Sequence, residues 1–138
     1  MTTPLWVLLG FAMWNIIMVL HIGFHRWKSV FTGTVPKGGF PSDVPPEHGW
    51  YRRAMQAHRN SVENLVVYAA IVVVLTAQGL DTPLLDKLAL VIIAARILQS
   101  LIHLWVVQKR PVILVRFSFF LAQIVCMIWM GIIAFQGA

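Results

Sequence analysis

Four charged side chains lie inside apolar runs that are long enough to cross a bilayer: Arg59, Glu63, Arg96 and Arg116. A charge at the centre of a membrane helix costs about 2.5–3.5 kcal/mol on insertion scales, so such residues usually have a partner and a function. Here three arginines outnumber one carboxylate, and guanidinium groups bind carboxylates and phosphates through paired hydrogen bonds. The set therefore predicts a site for a small anion. A desolvated cationic site would also lower the pKa of a bound thiol.

The same charges permit a purely structural interpretation. Arg59 and Glu63 are four residues apart and can pair on one helix, whereas Glu63 could instead neutralise Arg96 on a neighbouring helix. A buried pair that only fixes helix packing would have the same sequence pattern as a ligand site. The sequence leaves both interpretations open.

Metal and cysteine chemistry find little support in the sequence. His21 and His25 have the four-residue spacing of helical metal ligands, but no third ligand accompanies them, so we expect no metal site. Cys126 is the single cysteine and lies among apolar residues, which excludes a disulfide framework within one chain. We expect it to fill space in an apolar core.

The elements that position these residues are predicted to be membrane helices. The chain has 138 residues, of which 59% are hydrophobic and 12% charged, whereas soluble domains average about 25% charged residues. Its net charge of +6 gathers at the ends of apolar runs, which argues against a nucleic-acid-binding surface. The length and composition predict a single all-α transmembrane domain over residues 1–138.

We predict a transmembrane four-helix bundle whose segments follow from the apolar runs. The expected spans cover residues 4–25, 52–79, 83–108 and 111–135, with one loop over 29–49. Pro4 suits a first helical turn, and Asp81 or Thr82 is expected to cap the helix that begins at Pro83.

The basic residues predict the orientation of the bundle. They are concentrated between the first and second spans and between the third and fourth, so both groups fall on the same side of the membrane. The positive-inside rule makes these loops cytoplasmic and places both termini on the opposite side. The expected location is the inner membrane if the protein is bacterial and the endoplasmic reticulum if it is eukaryotic.

A polar stripe runs along the third span. Arg96, Gln99, Ser100 and His103 are three, four and seven residues apart, which places them on one face of a helix. The rest of that span is apolar, so the stripe is predicted to face protein and not lipid.

The segment RAMQAHRNSVEN, residues 53–64, resembles the second-helix signature of the MAPEG family, the membrane-associated proteins of eicosanoid and glutathione metabolism. The resemblance extends over essentially the whole chain. It includes TGTV at 32–35, ARI at 95–97 and the early arginine of the fourth span, Arg116.

This resemblance implies a homotrimer of four-helix protomers, with glutathione as co-substrate bound between neighbouring subunits near the cytosolic side. Arg116 would be the catalytic residue, next to the thiol, and Glu63 would face the amino group of glutathione. His58 and Arg96 would support the site. The implied glutathione contacts are Arg26, Arg59, Asn60, Glu63, Gln99 and His103.

The chain departs from the family pattern at several positions. Family enzymes often have arginine at the position of Gln56, and the prostaglandin synthase pattern has histidine and tyrosine at those of Gln99 and His103. Residues 117–120 fit only with a one-residue shift, and no tyrosine follows in the fourth span.

Three functions are compatible with these residues. The first is a glutathione transferase or peroxidase that acts on apolar electrophiles or lipid hydroperoxides entering from the bilayer. The second is a non-catalytic lipid-binding or scaffold protein of the same fold, which would bind a lipophilic small molecule. The third is a small four-helix transporter with Glu63 as its proton-coupled residue, which would form an antiparallel dimer.

Overall fold

The computed structural model describes residues 1–33, 50–105 and 110–137. This part of the chain forms four α-helices, which confirms the all-α prediction. They are α1 (Thr3–Thr32), α2 (Trp50–Ala77), α3 (Pro83–Trp105) and α4 (Arg110–Gln136).

Three of these helices, α1, α2 and α4, are long and apolar enough to cross a membrane, and they fit an integral membrane protein. The remaining helix, α3, has 23 residues and carries Asp86, Lys87 and Arg96. Its role as a fourth span stays a prediction. The predicted end of that span at Gln108 lies outside the described residues.

The first helix is longer than the sequence indicated. We expected a loop from Ser29, but α1 continues to Thr32, so this boundary was wrong. No glycine or proline occurs between Ser29 and Gly33, and Gly33 has a left-handed conformation with φ of 71° and ends the helix. Arg26 therefore lies within a continuous helix. Residues 34–49, the rest of the predicted loop, lie outside the described part of the chain.

A short turn joins α2 to α3. Gly79 has a positive φ of 68°, and the Leu80 N–H donates to the Leu75 carbonyl at 3.0 Å, as in a Schellman motif. Thr82 Oγ1 accepts a hydrogen bond from the Leu85 N–H at 3.3 Å, so Thr82 is the cap of α3. Because this turn is tight, α2 and α3 lie side by side and antiparallel.

The larger of the two apolar clusters among the described residues occupies the half of the bundle near this turn. Phe11 of α1 stacks on Tyr68 of α2 with ring centroids 6.0 Å apart, and the Tyr68 hydroxyl donates to the Pro4 carbonyl at 2.8 Å. Cys126 and Met130 of α4 are buried in the same core, as the apolar surroundings of the cysteine predicted.

Large apolar side chains also cover the outside of the helices. Leu20, Phe24, Leu114 and Phe135 are among the most exposed of them. A water-soluble domain rarely exposes extended apolar surface of this kind, whereas a lipid-facing helix requires it. Polar side chains are instead buried in the half of the bundle away from the α2–α3 turn.

Candidate functional site

The polar stripe of α3 is buried. Arg96, Gln99, Ser100 and His103 have exposed fractions of 1%, 3%, 2% and 5%. This confirms that the stripe faces protein.

Arg96 is held by two carboxamides. Its Nε donates to Gln123 Oε1 at 2.9 Å and its Nη2 donates to Gln99 Oε1. Gln123 Nε2 donates to Gln99 Oε1 at 2.7 Å and to the Phe119 carbonyl at 3.1 Å. The pairing of Arg96 with Glu63 that the sequence allowed was wrong, because the acceptors of Arg96 are neutral amides. Its positive charge is solvated by these partners but not neutralised by them.

Gln123 is the residue of this network that the sequence analysis missed. It is fully buried on α4, seven residues after Arg116 and therefore on the same side of the helix. A lone amide within an apolar span was the available signal. The same reasoning that selected the stripe of α3 would have selected Gln123.

A cleft opens beside this network and draws on three helices. Asn60 comes from α2, Gln99 from α3 and Arg116 from α4, opposite an apolar wall. The volume of the cleft is about 190 Å³, and its lining residues are Asn60, Gln99, Ile113, Arg116, Phe117 and Phe120. Sites for drug-sized ligands usually measure about 300–1,000 Å³, so this cleft would enclose only part of such a ligand.

The surroundings of the cleft are cationic. His103 lies one turn along α3 from Gln99, and the guanidinium groups of Arg53, Arg96 and Arg116 all act electrostatically on its ring. These arginines come from α2, α3 and α4 respectively. An anion is the ligand that such a convergence of positive charge favours.

Several polar atoms near the stripe are buried and have no hydrogen-bond partner among the described residues. They include Ser61 Oγ on α2, and Ser100 Oγ and His103 Nε2 on α3. Buried polar groups are almost always hydrogen-bonded in folded proteins. These atoms are therefore suited to contact water or a polar ligand.

The structure divides the other predicted site residues between two surfaces. Asn60 lines the cleft, but Arg59 and Glu63 are exposed on the outer side of α2 and do not line it. Arg26 of α1 approaches α2, where its Nη2 lies 3.8 Å from Met55 Sδ. His58 is half-buried. The predicted contacts thus form an inner group at the cleft, Asn60, Gln99 and Arg116, and an outer group, Arg59 and Glu63.

Within residues 1–33, 50–105 and 110–137, no three side chains of histidine, cysteine, aspartate or glutamate come together as potential ligands.

Comparison with known protein families gives a match to the model of the MAPEG family over residues 4–136, nearly the whole chain. Neither the curated proteins nor the solved structures include a match to this sequence.

Proposed function

This chain belongs to the MAPEG family, and from that premise we propose that it is a membrane-bound glutathione transferase or peroxidase for apolar electrophiles or lipid hydroperoxides. The family includes glutathione transferases and takes part in glutathione and eicosanoid metabolism at the membrane. One observation carries the proposal. The Arg116 guanidinium and the apolar Phe117 and Phe120 side chains line the same cleft, so a thiolate and an apolar electrophile could meet there.

In the transferase reaction, the thiolate sulfur of glutathione attacks the electrophilic carbon. A sulfur–carbon bond forms, the bond to the leaving group breaks, and the leaving group departs with the electron pair. Arg116 would stabilise the thiolate and then the negative charge that develops on the substrate. Because glutathione supplies the nucleophile, the reaction requires no cysteine from the protein.

In the peroxidase reaction, the same thiolate attacks an oxygen of the hydroperoxide. A sulfur–oxygen bond forms and the oxygen–oxygen bond breaks, which reduces the lipid hydroperoxide to an alkoxide that takes up a proton. The sulfenic acid of glutathione then reacts with a second glutathione to give the disulfide and water. Arg116 would stabilise the departing alkoxide.

The apolar wall of the cleft suits a substrate that arrives from the bilayer. Ile113 and Phe117 line the cleft and are also exposed on the outer surface of α4. A lipophilic molecule dissolved in hydrocarbon can therefore reach the wall without crossing water.

The exposed positions of Arg59 and Glu63 support a homotrimer as part of the proposal. Arg59 and Glu63 are exposed on a helix apolar enough to span the membrane, where uncovered charges are costly. A neighbouring subunit would cover them and enlarge the cleft. Glutathione would then lie between subunits, with its charged ends at Arg26, Arg59 and Glu63 of one and its thiol at Arg116 of the next.

Calorimetric titration with glutathione, together with turnover of a chlorinated aromatic and of a hydroperoxide, tests this function. We expect Arg116→Ala to abolish most turnover, and Arg59→Ala and Glu63→Ala to weaken glutathione binding. Lys87→Ala serves as a control, because Lys87 lies near the α2–α3 turn at the other end of the bundle. Purified protein that neither binds glutathione nor turns over either substrate would refute the proposal.

A non-catalytic lipid-binding role is the second candidate. One observation favours it, a largely apolar cleft of about 380 Å³ beside α2 and α4, lined by Ala70, Ile71, Val74, Gln78, Gly131, Ala134 and Phe135. The absence of the family's tyrosine at His103 is compatible with lost activity. Lipid binding without glutathione-dependent turnover would favour this candidate over the enzyme.

A further inference from the structure

The hydrogen bonds around Arg96 have a fixed direction. A guanidinium group can only donate, so a carboxamide that bonds to it must present its oxygen. Both neighbours obey this rule, since Gln99 Oε1 and Gln123 Oε1 accept from Arg96. The orientation of each amide is therefore imposed by the chemistry of the arginine.

Gln123 then imposes the same orientation on Gln99 a second time. With its oxygen on Arg96, Gln123 turns its Nε2 to two acceptors, Gln99 Oε1 and the Phe119 carbonyl. A rotated Gln99 amide would lose both hydrogen bonds and would place N–H groups against N–H groups. Gln99 is consequently locked, with its oxygen towards the network and its Nε2 left for other acceptors.

The second amide of the cleft, Asn60, is hydrogen-bonded within its own helix. Asn64 Nδ2 donates to Asn60 Oδ1 at 3.2 Å, so the oxygen of Asn60 is engaged by its own helix. The third polar group of the lining is the Arg116 guanidinium, which again can only donate. All three polar residues of the lining thus carry N–H donors, and the oxygens of both amides are engaged within the protein.

We propose that this donor lining selects a negatively charged hydrogen-bond acceptor, and that Arg96 and Gln123 are positioning residues that maintain the selectivity by locking Gln99. This inference rests on the proposed function, in which the selected group is the anionic sulfur of glutathione. The thioether sulfur of the product carries no charge and is a weak acceptor. The cleft therefore holds the reactant thiolate more tightly than the conjugate, which favours product release.

Two glutathione derivatives that differ only at sulfur provide the test. Glutathione sulfonate carries an anionic acceptor, whereas S-methylglutathione carries a neutral thioether. Calorimetric titration of the full-length protein gives the ratio of their dissociation constants. The wild-type protein should prefer the sulfonate. Gln123→Met, which removes one of the two donors that lock Gln99 but keeps the side-chain length, should reduce that preference by up to about tenfold, the effect of one hydrogen bond to a charged group.

Gln78→Met is the matched control. Gln78 also donates from a carboxamide, to the Ala134 carbonyl at 2.8 Å, but it lies in the α2–α3 turn, at the other end of the bundle. The control should keep the wild-type ratio. If Gln123 had only a structural role, Gln123→Met would weaken the binding of both derivatives equally. An unchanged ratio of dissociation constants in Gln123→Met would therefore overturn the inference.

Gln99→Glu tests the inference independently of Gln123 and is expected to fold, because a carboxylate still accepts from Arg96 and Gln123. It replaces the donor that faces the cleft by an acceptor, so the preference for the sulfonate should fall by at least as much as in Gln123→Met. Retention of the wild-type ratio in Gln99→Glu would overturn the inference but leave the proposed function standing. If the wild-type protein bound neither derivative, the proposed function would fail, and the inference with it.

Discussion

The amide network makes a quantitative prediction about stability. Replacing Gln123 by methionine removes the acceptor of Arg96 Nε and two donor bonds, while the arginine stays buried. The charged bond contributes about 1.5–3 kcal/mol and each neutral bond about 0.5–1.5 kcal/mol. Burial of the apolar methionine side chain offsets this loss by about 1–2 kcal/mol. We expect a net loss of about 2–4 kcal/mol in the free energy of unfolding.

The same change should cost much less once the charge has been removed. In an Arg96→Met background no guanidinium requires an acceptor, and replacing a buried charge by an apolar group is often neutral or stabilising. The Gln123→Met change should then cost about 1 kcal/mol or less, because only the neutral bonds remain. The double-mutant cycle therefore predicts a coupling of about 2 kcal/mol between Arg96 and Gln123, within the range seen for residues in one network.

Unfolding by sodium dodecyl sulfate in mixed micelles, followed by helical circular dichroism, measures the four corners of this cycle. Gln78→Met in both backgrounds is the control and should show no coupling with Arg96→Met. Independent residues give additive costs to within about 0.5 kcal/mol. Additivity of the Arg96 and Gln123 changes at that level would refute the argument that the two amides solvate a buried charge.

Two further predictions concern the half of the bundle near the α2–α3 turn. Thr82→Ala should lower the free energy of unfolding by about 1 kcal/mol, because the Leu85 N–H loses its hydrogen-bond acceptor. Asp81→Ala is the control and should have little effect. Equal losses in the two variants would contradict the assignment of Thr82 as the cap. Tyr68→Phe should cost about 1 kcal/mol through loss of the hydrogen bond to the Pro4 carbonyl. Glutathione affinity should stay unchanged in Tyr68→Phe, and calorimetric titration would reveal any change.

The features that the sequence predicted best are those encoded by local spacing. The stripe of Arg96, Gln99 and His103 required only the helical period, because polar residues on one face of an apolar helix must be buried against protein. Thr82 was one of two candidate caps, and its position directly before Pro83 agrees with the cap observed.

The features that the sequence did not predict depend on contacts between distant residues. Arg96 and Gln123 are 27 residues apart, and nothing in the spacing chooses Gln123 over Glu63 as the partner of the arginine. The exposure of Glu63 likewise depends on how α2 is rotated within the bundle. The predicted end of α1 was wrong for a local reason. The sequence predicts a loop from Ser29, whereas the first position with a left-handed conformation is Gly33.

The cleft takes one polar group from each of α2, α3 and α4, namely Asn60, Gln99 and Arg116. A ligand that bridges these groups binds only when the three helices are packed, so binding and folding are thermodynamically linked. A ligand at one hundred times its dissociation constant would raise the free energy of unfolding by about 2.7 kcal/mol. The cellular supply of that ligand would then help to determine how long the protein survives in its membrane.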